Sequence, residues 1–137
     1  MAQLIDTSVF IEMERRRVPV PDLLDRLPEG GAALAAITAS ELFVGIHRAD
    51  SEARRLERVT YVEQVVRDVA VIPFDLDIAR VHARVFVEMR AAGLQIGQHD
   101  LQIAATALTL GYDVLTSNLR DFRRVPGLRV QSFADLT

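Results

Sequence analysis

Four carboxylates occupy positions from which they could meet at one site, although they are far apart along the chain. They are Asp6, Glu41, Asp100 and Asp121. In an open parallel sheet, binding sites lie at the carboxyl ends of the strands, and these residues follow predicted strands or open the helices beside them. Carboxylates that converge without cationic partners repel one another, and a hard divalent cation such as Mg²⁺ relieves that repulsion.

Each carboxylate also has a purely structural explanation. Asp6 could be a helix N-cap, and Glu41 could complete a capping box in which Thr38 is the cap. Asp100 lies in the first turn of a predicted helix, where the helix dipole favours a carboxylate. Asp121 could begin a turn or cap a short helix. Taken singly, therefore, none of the four identifies a site.

The surroundings of three of these carboxylates favour a shared site. Asp6 ends an apolar strand, and Asp100 shares a helical face with Ile103 and Ala104. No arginine lies within two residues of Asp6, Glu41 or Asp100. Acids in such apolar surroundings, with no cation nearby in sequence, are typical of a magnesium site.

The three histidines give no rival metal site. His47, His82 and His99 lack the short spacings of metal-binding histidine motifs. His99 precedes Asp100 directly, but consecutive helical residues point about 100° apart, so a shared ligand role is not expected. All three are expected to be surface or half-buried structural histidines.

The basic residues exclude several classes of phosphate enzyme. The chain has 16 basic side chains of the lysine or arginine type, and all 16 are arginine, so it has no lysine. P-loop NTPases need a lysine at the phosphates, and response-regulator receivers and haloacid-dehalogenase-type phosphatases also use one. The net charge of −3 argues against a large phosphate-binding face. It still allows a local arginine cluster beside an acidic metal site.

Other compositional features are compatible with a cytosolic protein. The chain has no cysteine, which excludes a disulfide framework or a thiolate metal site. Its N-terminus lacks the basic and apolar regions of a signal peptide. No apolar run approaches the roughly 18–20 residues of a membrane span.

The elements that must position the four carboxylates alternate between strand and helix. The predicted strands are Ala2–Asp6, Ala32–Ile37, Val69–Pro73, Asp113–Thr116 and Leu128–Gln131. The predicted helices are Ser8–Arg16, Asp22–Leu27, Thr38–His47, Ser51–Asp68, Asp75–Ala92, Gln98–Leu110 and Arg120–Val125. This alternation predicts an α/β domain whose central, mainly parallel sheet is covered on both faces.

Apolar spacing also predicts which side chains form the core. In the helix over 51–68 the expected buried stripe is Leu56, Val59, Val62 and Val66. Tyr61 and Val65 lie off that stripe and could serve an interface. Three aromatic side chains are expected in the core: Phe43, Phe74 and Phe86.

Four segments, in this order and spacing, resemble the PIN-domain family, and specifically toxins of the VapBC type. The segments are LIDTS at 4–8, ITASEL at 37–42, IGQHDLQIAATA at 96–107 and LTSNLRDF at 115–122. The resemblance implies a three-layer α/β/α fold made by a single PIN domain over residues 1–137. It also implies that Asp6, Glu41 and Asp100 surround Mg²⁺ or Mn²⁺.

The fourth acidic position varies in this family, and two residues of this chain compete for it. Asn118 occupies one candidate place and Asp121 the other. We favour Asp121, with Ser8, Thr116 and Asn118 as polar neighbours of the acidic group.

The resemblance implies an endoribonuclease that hydrolyses phosphodiester bonds with metal-activated water, leaving 5′-phosphate and 3′-hydroxyl ends. It implies an RNA substrate such as tRNA or rRNA, a cognate antitoxin and a homodimer. Alternatives are a catalytically silent PIN-like binding module, a metal nuclease acting on DNA, and a signalling domain with an acidic phosphoacceptor pocket. The missing lysine speaks against the signalling domain.

Three arginine clusters could contact a nucleic acid backbone. They are 15–17, the group Arg54, Arg55 and Arg58, and the group Arg120, Arg123 and Arg124. A solvated helical face is the simpler explanation for the second cluster, whereas the third lies nearest in sequence to the predicted site. Aromatic residues make up 6% of the chain and tryptophan is absent, so no base-stacking platform is evident.

Overall fold

A five-stranded parallel sheet forms the centre of the computed structural model, which describes residues 2–136. The strand order is β3-β2-β1-β4-β5, and every neighbouring pair is parallel. The strands are β1 (Gln3–Ile5), β2 (Ala32–Ala35), β3 (Ala70–Ile72), β4 (Asp113–Thr116) and β5 (Val130–Ser132). Each predicted strand is therefore present, although the last begins two residues later than predicted.

Seven α-helices connect and flank the strands. They are α1 (Thr7–Arg15), α2 (Val20–Arg26), α3 (Ala36–His47), α4 (Glu52–Asp68), α5 (Leu76–Ala91), α6 (Gln98–Leu110) and α7 (Leu119–Phe122). A 3₁₀-helix over Phe133–Leu136, which the sequence did not indicate, ends the described part of the chain. No helix in residues 2–136 combines the length and apolarity that a membrane span requires.

Alternate strand residues point to opposite faces of the sheet and build two separate cores. Ile5 and Leu115 pack with side chains of α1 to α4 on one face. Leu4 and Val114 pack with α5 and α6 on the other. This alternation follows from the two-residue period of a strand. The predicted three-layer α/β/α fold with a parallel sheet is confirmed.

The prediction of which face of α4 is buried is wrong, because the observed buried face is rotated slightly about the helix axis from the predicted one. Leu56 is 53% exposed, whereas Val65 is fully buried together with Val62. Tyr61, expected at an interface, instead packs against the core and donates a hydrogen bond from its hydroxyl to the Phe10 carbonyl at 2.9 Å. Several apolar stripes are possible on a helix this rich in valine, and the packing against neighbouring elements, chiefly α3, selects one.

The prediction that Phe43, Phe74 and Phe86 belong to the core is also wrong. Their exposed fractions are 37%, 43% and 43%. Phe74 packs edge-on against the His82 ring at 5.6 Å, and Arg90 lies 5.4 Å from the centre of the Phe86 ring. The two cores are instead filled by side chains nearer the sheet, so these rings stay at the surface.

Candidate active site

The acidic residues are brought together by the change of strand order at the centre of the sheet. From β1 the chain adds β2 and β3 on one side, and it then crosses to add β4 and β5 on the other. The switch point therefore lies between β1 and β4, where ligands bind in open parallel sheets. Asp6 directly follows β1 here, and Thr116 is the last residue of β4.

Asp6 is held by hydroxyl groups rather than by the helix that it precedes. It stands at the N-cap position of α1, but its side chain makes no capping hydrogen bond. Its Oδ2 atom accepts hydrogen bonds from Ser8 Oγ at 2.6 Å and from Thr116 Oγ1 at 2.8 Å. Asp6 is only 4% exposed. Asp6 therefore occupies the N-cap position without capping the helix through its side chain, and its carboxylate is fixed at the edge of the sheet.

Glu41 is likewise free of a capping role. α3 begins at Ala36, so Thr38 and Glu41 both lie inside the helix and the capping-box explanation is wrong. The Thr7 hydroxyl donates to Glu41 Oε1 at 2.9 Å and lies 3.1 Å from Thr38 Oγ1. Glu41 is thereby tied to the residue next to Asp6.

Asp100 experiences the combined field of the other acids. It lies in the first turn of α6, as predicted. Burial, followed by repulsion from Asp6, Asp121 and Glu41, raises its pKa from 3.8 to about 6, and His99 opposes the shift. Repulsion of this kind requires proximity, so Asp6, Glu41 and Asp121 each lie near enough to Asp100 to act on its carboxyl group.

Both candidates for the fourth position lie at this same edge. Asp121 repels Asp100, and its Oδ2 accepts a hydrogen bond from Asn118 Nδ2 at 3.0 Å. The Asn118 amide donates to Thr116 Oγ1 at 2.8 Å. Arg124 reaches to 3.8 Å from Asp121 Oδ1. Asn118 therefore donates to Asp121, and the choice of Asp121 as the fourth acidic position stays a prediction.

Two side chains at the site were not indicated by the sequence patterns. His99 Nδ1 lies 3.5 Å from Glu41 Oε2, although no role beside the acids was expected for it. Thr7 holds Glu41, as described above. His99 comes from α6 and Glu41 from α3, so only the packing of these two helices creates their contact. A polar residue beside each acid is the one sequence signal that could have pointed to Thr7.

The four acids do not form a closed ligand set as they stand. Among residues 2–136, no group of three or more histidine, aspartate or glutamate side chains is arranged to hold a metal ion. Like charges repel, and each of Asp6, Glu41 and Asp121 is turned towards its own hydrogen-bond donor. The site is therefore a cluster of oxygen donors with an unfavourable concentration of negative charge.

Acids gathered at the switch point of a parallel α/β sheet are typical of an α/β protein that binds a divalent cation. Comparisons with known proteins identify the family to which the chain belongs. The PIN domain family model matches residues 4–128. Ribonuclease VapC1 of Rickettsia felis is 35% identical over 130 residues, which are 95% of each chain. The tRNA(fMet)-specific endonuclease VapC of Salmonella typhimurium is 30% identical over 73% of this chain and 74% of its own.

A solved structure agrees with these relatives. VapBC-5 of Mycobacterium tuberculosis, a member of the VapBC family of toxin-antitoxin systems, is 31% identical and has a TM-score of 0.75. The match covers 96% of each chain. The chain belongs to the PIN domain family, within the group of VapC ribonucleases.

Proposed function

We propose that this chain is a metal-dependent endoribonuclease and the toxin of a toxin–antitoxin pair. The observation that carries the proposal is the convergence of Asp6, Glu41, Asp100 and Asp121 at the switch point of the sheet. Within residues 2–136, none of the first three forms an ion pair with an arginine. The ribonuclease names of the relatives give the reaction class.

The donor set fits Mg²⁺ or Mn²⁺. Hard divalent cations take carboxylate oxygens together with water and substrate phosphate, and carboxylates are what this cluster offers. Asp6, Glu41, Asp100 and Asp121 would hold the ion. When bound, the ion lowers the pKa of a coordinated water and stabilises the charge that develops on the phosphate.

The chain's own residues orient the acids and limit their freedom. Ser8 and Thr116 both donate to Asp6 Oδ2, and Ser8 also accepts a hydrogen bond from the Ser117 amide at 3.1 Å. Thr7 fixes Glu41, and Asn118 fixes Asp121. Hydrogen-bond donors that hold the carboxylates in one orientation keep these metal ligands near the geometry that the reaction needs. No side chain is needed as a nucleophile, because water attacks the phosphodiester.

We propose structured RNA such as tRNA or rRNA as the substrate and a cognate antitoxin as the protein partner. Support comes from the relative named as a tRNA(fMet)-specific endonuclease and from the VapBC toxin–antitoxin neighbour. An antitoxin that covers the acids would inhibit cleavage directly.

We further propose that residues 1–137 act as one PIN domain and that this domain forms a homodimer. The family model spans 4–128. The run from β3 into α5 exposes three apolar side chains, Val71, Phe74 and Leu76, and Leu76 is 67% exposed. Exposed apolar patches mark interfaces.

The first test compares wild type with Asp100→Asn, each purified free of antitoxin. Both are incubated with total RNA and Mg²⁺, with an EDTA control, and the cleaved ends are mapped. Asp25→Asn is the matched control, since Asp25 is exposed on α2. We expect defined fragments with 5′-phosphate ends from wild type and Asp25→Asn only, abolished by EDTA. Cleavage of DNA oligonucleotides in preference to RNA would contradict the proposed substrate.

Metal binding is measured separately from cleavage. We expect Mn²⁺ to raise the melting temperature of wild type, because an ion that binds only the folded state stabilises it. The same Mn²⁺ concentration should leave Asp100→Asn nearly unchanged. RNA cleavage that persists in EDTA, or an equal Mn²⁺ effect on both proteins, would contradict a metal site at these acids.

A further inference from the structure

A groove of about 760 Å³ runs between α1, α3 and α4 and reaches the acidic site. Glu41 is the one of the four acids that lines this groove, so the groove adjoins the site. Four arginines also line it, Arg15, Arg17, Arg54 and Arg58, together with two further glutamates, Glu14 and Glu57. The fold thereby combines two clusters that are almost 40 positions apart in the sequence.

The arginines of the groove divide into one structural residue and three available ones. Arg58 donates to the Gly45 carbonyl at 2.6 Å and lies 3.7 Å from Glu14, so it braces α4 against α3 and α1. Arg15, Arg17 and Arg54 are exposed. Among residues 2–136, none of these three forms a salt bridge.

Arg17 has a backbone conformation that favours glycine. Its φ is 55°, and it is the only non-glycine residue with positive φ within residues 2–136. It directly follows the C-cap of α1, where the Val18 amide bonds to the Met13 carbonyl and the Arg17 amide bonds to the Glu14 carbonyl, each at 3.0 Å. This pair of bonds is the Schellman motif, whose left-handed position is usually glycine.

A second Schellman motif of this chain, after α5, has a glycine at the left-handed position. After α5, the Leu94 amide bonds to the Met89 carbonyl and the Gly93 amide bonds to the Arg90 carbonyl. Gly93 has a φ of 72° at the position equivalent to Arg17. A side chain at a left-handed position carries a steric cost that glycine avoids. Backbone strain of this kind concentrates at functional positions.

We propose that the groove carries the backbone of single-stranded RNA to the acidic site, and that Arg17, with Arg15 and Arg54, contacts its phosphates. This inference rests on the proposed ribonuclease function. Guanidinium groups are suited to phosphate because they donate paired hydrogen bonds and stay charged. Because Arg58 pairs with Glu14, three arginines stand against Glu41 and Glu57 along the groove, and their positive charge partly offsets the repulsion that the acids exert on an approaching phosphodiester. The left-handed backbone conformation at Arg17 lowers the stability of the fold, and the contact with phosphate is the functional gain that accompanies this loss.

Substitutions of Arg17 separate an effect on folding stability from an effect on RNA binding. Arg17→Gly removes both the charge and the strain, whereas Arg17→Lys keeps both. Arg54→Gln removes a second groove charge, and Arg80→Gln, at an exposed position of α5, is the control outside the groove. Each protein is titrated into a fluorescein-labelled single-stranded RNA in EDTA at several salt concentrations, and its melting temperature is recorded.

We expect Arg17→Gly to melt about 2–4 °C higher than wild type, because the left-handed strain is relieved. Its RNA affinity should nevertheless fall about three- to fivefold, as for the loss of one exposed ionic contact. The slope of log affinity against log salt should fall by about 0.7 for one lost phosphate contact to a single strand. Arg17→Lys should stay near wild type, Arg54→Gln should bind more weakly, and Arg80→Gln should not change.

Two results overturn the inference while leaving the ribonuclease function intact. One is RNA cleavage by wild type together with unchanged affinity and salt slope in Arg17→Gly. The other is an Arg17→Gly protein that binds RNA normally but binds its antitoxin more weakly, which would assign the groove to the protein partner. If wild type neither binds nor cleaves RNA, the proposed function fails and this inference fails with it.

Discussion

His99 Nδ1 lies 3.5 Å from Oε2 of Glu41, and this contact joins α6 to α3 across the acidic site. The imidazole is more than half exposed and also lowers the pKa of the neighbouring Asp100 carboxyl. It therefore adds a polar group to a site otherwise dominated by negative charge. Its position suggests that it supports the acids rather than replacing one of them.

Substitution of His99 tests this supporting role. We expect His99→Gln to slow RNA cleavage by less than about tenfold, because an exposed ionic contact is worth at most about 1 kcal/mol. Glu41→Gln should slow cleavage at least about 100-fold, because it removes a ligand oxygen charge. The measurement is the initial cleavage rate at saturating Mg²⁺, with His47→Gln as the control. A 100-fold loss in His99→Gln would show that the imidazole acts in the chemistry itself.

The Asp100 carboxylate is expected to destabilise the metal-free fold at neutral pH. Its pKa is raised from 3.8 to about 6, so the folded state binds this proton more tightly than the unfolded state. The penalty is absent below about pH 4, grows as the pH rises through 6, and is complete at pH 7. Asp100→Asn removes it, and we expect about 1 kcal/mol of added stability after allowing for solvent screening of this half-buried group.

Urea unfolding in EDTA at pH 7 and at pH 4 measures this effect. The gain of Asp100→Asn over wild type should be present at pH 7 and nearly absent at pH 4. Asp25→Asn, at an exposed position of α2, should show little change at either pH. A destabilised Asp100→Asn at pH 7 would mean that the four acids do not repel one another in the folded protein.

The Thr116 hydroxyl is expected to stabilise both the fold and the site. It is fully buried and donates to Asp6 Oδ2 at 2.8 Å, so Thr116→Val leaves a buried carboxylate short of one donor. We expect a loss of about 1–3 kcal/mol in the free energy of unfolding, together with slower cleavage. Thr60→Val removes an exposed hydroxyl bonded to the Leu56 carbonyl and should cost far less. Equal stability of the two variants in urea would refute this assignment.

The apolar surface at the start of α5 is expected to hold two copies of the chain together. Light scattering should give twice the chain mass of 15.3 kDa for wild type. Leu76→Glu places a charge on a residue that is 67% exposed, so it should leave the monomer folded but dissociate the dimer. Leu56→Glu, at a 53% exposed position on α4, is the control. A dimer that survives Leu76→Glu would place the interface elsewhere.

The sequence by itself determined the order of the elements and the positions of the acids. Alternation of apolar segments with helical periodicity is a local property, so the parallel sheet and the bounds of α6 and β4 could be predicted within a residue or two. Asp6 and Asp121 could be proposed because they closely follow strands, and the carboxyl ends of parallel strands share one edge of a sheet.

Only the tertiary structure decided which faces are buried and which distant side chains meet. The exposure of Phe43, Phe74 and Phe86 depends on how much room the two cores leave, which no local pattern encodes. The contact of His99 with Glu41 and the joining of Arg17 with Arg54 in one groove depend on helix packing between remote segments. The left-handed backbone of Arg17 could not be predicted from the sequence either, because the Schellman motif at residues 13–18 is usually marked by a glycine and this segment has none.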